Sequence, residues 1–175
     1  MKRVPDLLTL SRALIAAAIV SLGFAERLDV LVGSALPMVL VLTMLGWTTD
    51  ILDGRVARKY KKTPTWVGEK EFAFDMLMVF SGLCYLVLAG FIPFAPAIIY
   101  TMVAAAFIAY FRSKMVTMSF ATPVVALPLI VAAFKAPDAL LWYIAWIVAA
   151  LLFDWRRFRC VVLEFIENTK KLAKR

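Results

Sequence analysis

Four carboxylates stand in two short stretches of the chain. Asp50 and Asp53 lie in Asp50-Ile-Leu-Asp53-Gly54-Arg55-Val56-Ala57-Arg58, and Glu71 and Asp75 lie in Val67-Gly68-Glu69-Lys70-Glu71-Phe72-Ala73-Phe74-Asp75. Each pair borders a strongly apolar segment, where an unpaired charge is costly and marks a functional site by default. On a helix, positions three or four apart share a face. Asp50 therefore projects with Asp53, and Glu71 with Asp75, so that two helices could meet around one cluster of acids. The same spacing sets Gly54, Ala57 and Arg58 on the face of Asp50. Aspartates offer hard oxygen ligands, Gly and Ala leave room beside the backbone, and Arg58 offers a planar fork to a phosphate.

That is the outline of a metal and phosphate site. The chain has no histidine, so a general base must be a carboxylate, Lys, Tyr or Cys, and histidine-ligated metals are excluded. Carboxylates alone favour Mg²⁺ or Mn²⁺ over zinc, and four could hold two ions about 3.5 to 4 Å apart. Without metal, acids so close would repel, and some would protonate, so a disordered or partly neutral site is expected. The bland alternative is that the acids pair with Arg55, Arg58, Lys59 and Lys70 at the membrane surface. Cys84 and Cys160 share no metal-ligand spacing and are read as packing residues.

Composition sets the frame for these residues. The chain has 175 residues, 63% hydrophobic and 18% charged, with a mean hydropathy of +0.86, which points to a polytopic membrane protein. A net charge of +8 would suit nucleic acid, but the charges fall in short clusters between apolar segments, as in loops facing an anionic leaflet. Nucleic acid is therefore not an expected partner.

The apolar segments predict six transmembrane helices. Val4 to Leu10, broken early by Pro5, predicts a short interfacial helix before a first span over Ala13 to Ala25. A signal peptide ending at Gly23-Phe-Ala25 is set aside, because cleavage would leave an odd number of spans. Val30 to Thr49 is a charge-free run of 20 residues, long enough to cross a core of about 30 Å and to continue as helix to Lys59. Lys59 to Thr65 makes a short connector.

Met76 to Phe111 holds 36 residues without a charge, and Gly90, Pro93 and Pro96 divide it into two helices, the second ended by Arg112 and Lys114. Met115 to Phe134 supplies the fifth span, and Ala139 to Phe153 the sixth, extended through Asp154 to Arg159. An amphipathic tail follows. Six spans put both termini on one side. Of the 20 Lys and Arg residues, only Arg27 and Lys135 then fall on the other, so the positive-inside rule assigns the termini and the acids to the cytoplasm. A single membrane domain covers residues 1–175.

The pattern Asp50-x-x-Asp53-Gly54-x-x-Ala57-Arg58, followed by acids at 71 and 75, resembles the signature of the CDP-alcohol phosphatidyltransferases. Val67 stands at that family's glycine, with Gly68 beside it, and Glu71 at its third aspartate. The resemblance implies a six-span membrane enzyme of phospholipid synthesis, as in a bacterial inner membrane. It would transfer a phosphatidyl group from a CDP-linked lipid, of the CDP-diacylglycerol type, to an acceptor alcohol and release CMP. It implies Asp50, Asp53, Glu71 and Asp75 as ligands of Mg²⁺ or Mn²⁺, with Asp75 also the general base. Asp50, Gly54, Ala57, Arg58 and Gly68 would line the nucleotide.

Pro5-Asp-Leu-Leu-Thr9-Leu-Ser-Arg12 looks like the opening of many bacterial members, and Arg12 either reaches into the cavity or snorkels to the interface. Arg112, Lys114 and Arg156 would bind an anionic acceptor such as glycerol 3-phosphate or an inositol phosphate, unless they are ordinary positive-inside flanks. The family is often dimeric, and Gly82 and Ala104 to Ala106 would permit close helix contacts in a homodimer. Two rivals stand beside this reading. One is a catalytically silent, lipid-binding scaffold, suggested by Val67 and Glu71. The other is a small metal-ion transporter, which would want its acids near mid-membrane.

Overall fold

A computed structural model describes residues 4–59, 70–155, 159–160, 162–163 and 166. Among the described residues six complete α-helices make up the architecture, and there is no strand. Helix α1 spans Val4–Arg27, α2 Leu36–Lys59, α3 Glu71–Leu88, α4 Phe94–Phe111, α5 Lys114–Lys135 and α6 Pro137–Phe153.

Local sequence explains most of the boundaries. Helix α1 is continuous, so the separate interfacial helix expected over Val4 to Leu10 does not form. Pro5 sits in the first turn, where the missing N–H costs no hydrogen bond, and it does not break the helix. Helix α2 starts at Leu36, later than the charge-free run suggests. Asp29 and Gly33 both take positive φ, 53° and 93°, in the connection before it. The backbone N–H of Ala35 donates to Glu26 Oε2 at 3.0 Å, and this carboxylate also accepts from the Tyr85 hydroxyl at 2.6 Å.

Gly90 (φ 77°) and Pro93, the N-cap of α4, divide α3 from α4 as expected, whereas Pro96 falls inside the first turn of α4. Arg112 caps α4 in the left-handed region, and Lys114 belongs to the start of α5 rather than to the end of α4. Helix α6 stops at Phe153 instead of running to Arg159. Asp154 leaves helical geometry there (φ −128°, ψ 41°), and its carboxylate faces Arg55 on α2. The connector Lys59 to Thr65 is outside the described residues from 60 onward, and most of the expected amphipathic tail also lies outside them.

Among the described residues four helices are long and apolar enough to cross a membrane: Leu7–Arg27, Leu36–Arg55, Phe94–Phe111 and Met115–Lys135. Phe72–Leu88 and Pro137–Phe153 are apolar but shorter. At 1.5 Å per residue, such a helix of 17 residues reaches about 26 Å, close to a hydrocarbon core of about 30 Å.

The side-chain distribution departs from that of a soluble protein. Large apolar groups cover the outside, among them Leu14, Met102, Phe134 and Trp142, while Thr9, Arg12, Asp53, Ser81 and Thr117 are buried. The core runs through Ile19, Leu36, Val39, Leu40, Tyr85 and Leu86, with a second cluster around Val79, Leu83 and Val124.

Helix α1 packs chiefly on α3 and then on α2, α5 lies on α3, α6 on α2 and α5, and α4 stands at the edge. Small residues allow the closest approaches. A Cβ on Gly23 would lie 3.2 Å from Tyr85 Cα and 3.1 Å from Leu88 Cβ. The start of α1, the end of α2 and the start of α3 thus come together at one end of the bundle.

Candidate active site

At that end, three aspartates from two helices converge on one cation from a third. Arg12 Nη1 donates to Asp50 Oδ1 at 2.9 Å and to Asp75 Oδ1, and Nη2 donates to Asp53 Oδ2 at 3.1 Å. Thr9, one turn before Arg12, accepts from Nη2 at 3.2 Å and donates its hydroxyl to Asp53 Oδ2 at 3.0 Å. Arg12, Thr9 and Asp53 are fully buried, whereas the Asp50 and Asp75 side chains are 21% and 23% exposed. The cluster is therefore closed on the side of α1 and open on the other.

The physical reason for Arg12 at this place is direct. It lies within the apolar part of α1, where a lone guanidinium would be expensive, and three carboxylates within reach offset that cost. Of the two readings of Arg12, the one that reaches into the cavity holds. The surface-pairing alternative fails for Arg55. That guanidinium turns away to α6, where it donates to the Phe153 carbonyl at 2.7 Å, stacks 3.6 Å from the Phe153 ring and stands 3.9 Å from Asp154.

The other predicted site residues divide into two groups. Gly54 is half-buried beside Asp53 on α2. Ala57 and Arg58 lie in the last turns of α2, and Glu71 starts α3, but their side chains are outside the described set. Gly68 and Arg156 lie outside the described residues altogether. Arg112 is exposed, and no hydrogen bond or ion pair among the described residues ties it to the aspartates; the Lys114 side chain is not described. Thr9 carried no site role in the sequence. The signal that could have found it is its three-residue spacing from Arg12 on a helix that must bury a cation.

An apolar cavity of about 400 Å³ adjoins the cluster, between α2, α5 and α6. Trp47, Leu129, Tyr143 and Trp146 line its walls, and Asp50 and Asp154 stand on its border. Trp146 Nε1 donates to Thr48 Oγ1 at 3.2 Å, which fixes α6 against α2 along this wall.

The cluster consists of carboxylate oxygens, the donor type that hard divalent cations take, and two of its members open outward. Among the described residues no group of three or more acidic or thiol side chains is arranged to hold a metal ion, and the guanidinium stands between the aspartates.

An all-helical bundle with long apolar spans, an apolar exterior and a buried acidic cluster at one end defines a multi-pass membrane protein with a polar site. Its family model is that of the CDP-alcohol phosphatidyltransferases, matched over residues 2–153, and the chain belongs to that family. Searches of curated proteins and of solved structures each returned no match.

Proposed function

We propose that the chain transfers a phosphatidyl group from a CDP-linked lipid, of the CDP-diacylglycerol type, to an acceptor alcohol and releases CMP. The observation that most supports this reading is the convergence of Asp50, Asp53 and Asp75 beside an apolar cavity, since the substrate joins a charged diphosphate to hydrocarbon. Asp50, Asp53, Glu71 and Asp75 would hold Mg²⁺ or Mn²⁺, which when bound polarises the diphosphate and stabilises the charge of the departing nucleotide.

Gly54, Ala57, Arg58 and Gly68 line the cytidine diphosphate in this reading. Asp75 takes the proton of the acceptor hydroxyl as its oxygen bonds to the β-phosphorus. The bond from that phosphorus to the bridging oxygen breaks, and CMP leaves with the electron pair. The apolar cavity holds a hydrocarbon tail. The positive-inside bias supports six spans with the termini and the site facing the cytoplasm, and Arg112, Lys114 and Arg156 are candidate contacts for a phosphorylated acceptor. A homodimer would use the exposed Ala105 and Ala106, since Ala104 is buried and Gly82 faces Pro128.

The test is an acceptor panel. The purified chain, in vesicles with CDP-diacylglycerol and Mg²⁺ or Mn²⁺, is offered glycerol 3-phosphate, inositol phosphate and uncharged alcohols, and each lipid product is identified. A product with one acceptor class is expected. Silence across the panel, with metal present, would favour a lipid-binding scaffold. A transporter fits less well, because the three aspartates gather towards one end of the bundle.

A further inference from the structure

The mechanism above leaves a fully buried charge without a part. Arg12 is fully buried, and its two terminal nitrogens reach all three described aspartates of the cluster. A guanidinium and a divalent cation draw on the same three carboxylates. Asp50 Oδ1, Asp53 Oδ2 and Asp75 Oδ1 each accept from Arg12, so one oxygen of each is engaged by nitrogen.

We infer that Arg12 is a built-in placeholder cation, which keeps the three aspartates together before metal binds and gives up its place when metal arrives. The inference rests on the metal-dependent reading of the site.

Two observations support a placeholder rather than a permanent member. First, Arg12 lies in the second turn of the part of α1 that begins at Leu7, so its long side chain has a short path to the interface, where it can snorkel. Second, Thr9 accepts from Arg12 and donates to Asp53, which keeps a donor for Asp53 on α1 and lets the exchange occur without separating the helices. By linkage, whatever stabilises the Arg12-bound arrangement weakens metal binding by the same factor.

The experiment uses the full chain in detergent and reads metal binding and thermal stability, with no substrate. Mn²⁺ binding is followed by electron paramagnetic resonance, and the midpoint of thermal unfolding is measured in chelator and in saturating Mn²⁺, for wild type, Arg12→Gln, Arg12→Lys and Thr9→Val. Arg12→Gln is expected to bind Mn²⁺ about tenfold or more tightly, within the usual range of coupling between linked ligands. Its midpoint should fall well below wild type in chelator, and that gap should close in saturating Mn²⁺, because Arg12 has already left the aspartates in the metal-bound state. Thr9→Val, the milder change, should also tighten Mn²⁺ binding, by less, and its affinity decides the matter if Arg12→Gln does not fold. Arg12→Lys keeps the charge on a single nitrogen and should fall between wild type and Arg12→Gln.

A gap that persists for Arg12→Gln in saturating Mn²⁺, or an affinity that is unchanged or weaker in Arg12→Gln or Thr9→Val, would overturn the inference and make Arg12 a permanent structural member. If neither wild type nor any variant binds Mn²⁺ or Mg²⁺, the metal-dependent function falls with it.

Discussion

Burial separates the three aspartates at the scale of the residue. Asp53 is fully enclosed with Thr9 and Arg12, whereas Asp50 and Asp75 keep about a fifth of their side-chain surface exposed. Removing one partner of a buried ion pair costs roughly 3–5 kcal/mol, because the other charge stays desolvated. Asp53→Ala should therefore lower the thermal midpoint more than Asp50→Ala, measured side by side in metal-free detergent. A larger loss for Asp50→Ala would show that the buried acid is not the anchor of the cluster. For Asp75→Asn a different signature is expected: a fold that survives, and CMP release slowed by about 10²–10⁴, the usual worth of a general base. The aspartates were legible in the sequence because their spacing follows the helical period. Arg12 was legible only as a choice between two positions, since a single basic residue near the end of an apolar segment satisfies both. Thr9 was not, because a lone hydroxyl in a helix has no periodic signature.

Elements position these residues through contacts far from the acids. Helix α1 can deliver Arg12 only if it lies close on α3, and Gly23 makes that approach possible near the opposite end. Gly23→Val would drive its branches against the Tyr85 backbone and the Leu88 Cβ, and overpacking of this kind costs about 1–3 kcal/mol. A lower thermal midpoint is expected, together with slower CMP release, although no site residue has been touched; an unchanged midpoint would mean that α1 is held elsewhere. Tyr85→Phe provides a contrast. It removes the hydroxyl that donates to Glu26 at 2.6 Å, at a cost of about 1–3 kcal/mol, but keeps the ring in the core. Stability should fall while CMP release at a permissive temperature stays within about twofold of wild type, as the site is at the other end. The helices themselves were readable from apolar runs and breakers. Their ends were less so: Pro5 does not break α1, and α6 stops at Phe153 because Asp154 turns to Arg55, a partner on another helix. Such tertiary partners leave no mark in local sequence.

The described residues form a bundle whose exterior is largely apolar and whose buried charges gather in one acidic cluster, and the family match covers most of the chain. Orientation follows from charge, with 20 Lys and Arg residues and only Arg27 and Lys135 on the far side in the six-span reading. Single cysteines placed at Arg112 and at Asp138, in a chain freed of Cys84 and Cys160, should label from opposite sides of sealed vesicles. Labelling from the same side would contradict six spans. The central claim is that the acids at one end of this bundle act together on a nucleotide-linked lipid with a divalent cation. It is tested most directly by the rate of CMP release from CDP-diacylglycerol with the preferred acceptor, for wild type and Asp53→Asn, in chelator and in Mg²⁺. The account predicts release by wild type in Mg²⁺ alone and at least about a hundredfold loss in Asp53→Asn. Equal release with and without the cation, or a variant as fast as wild type, would contradict it.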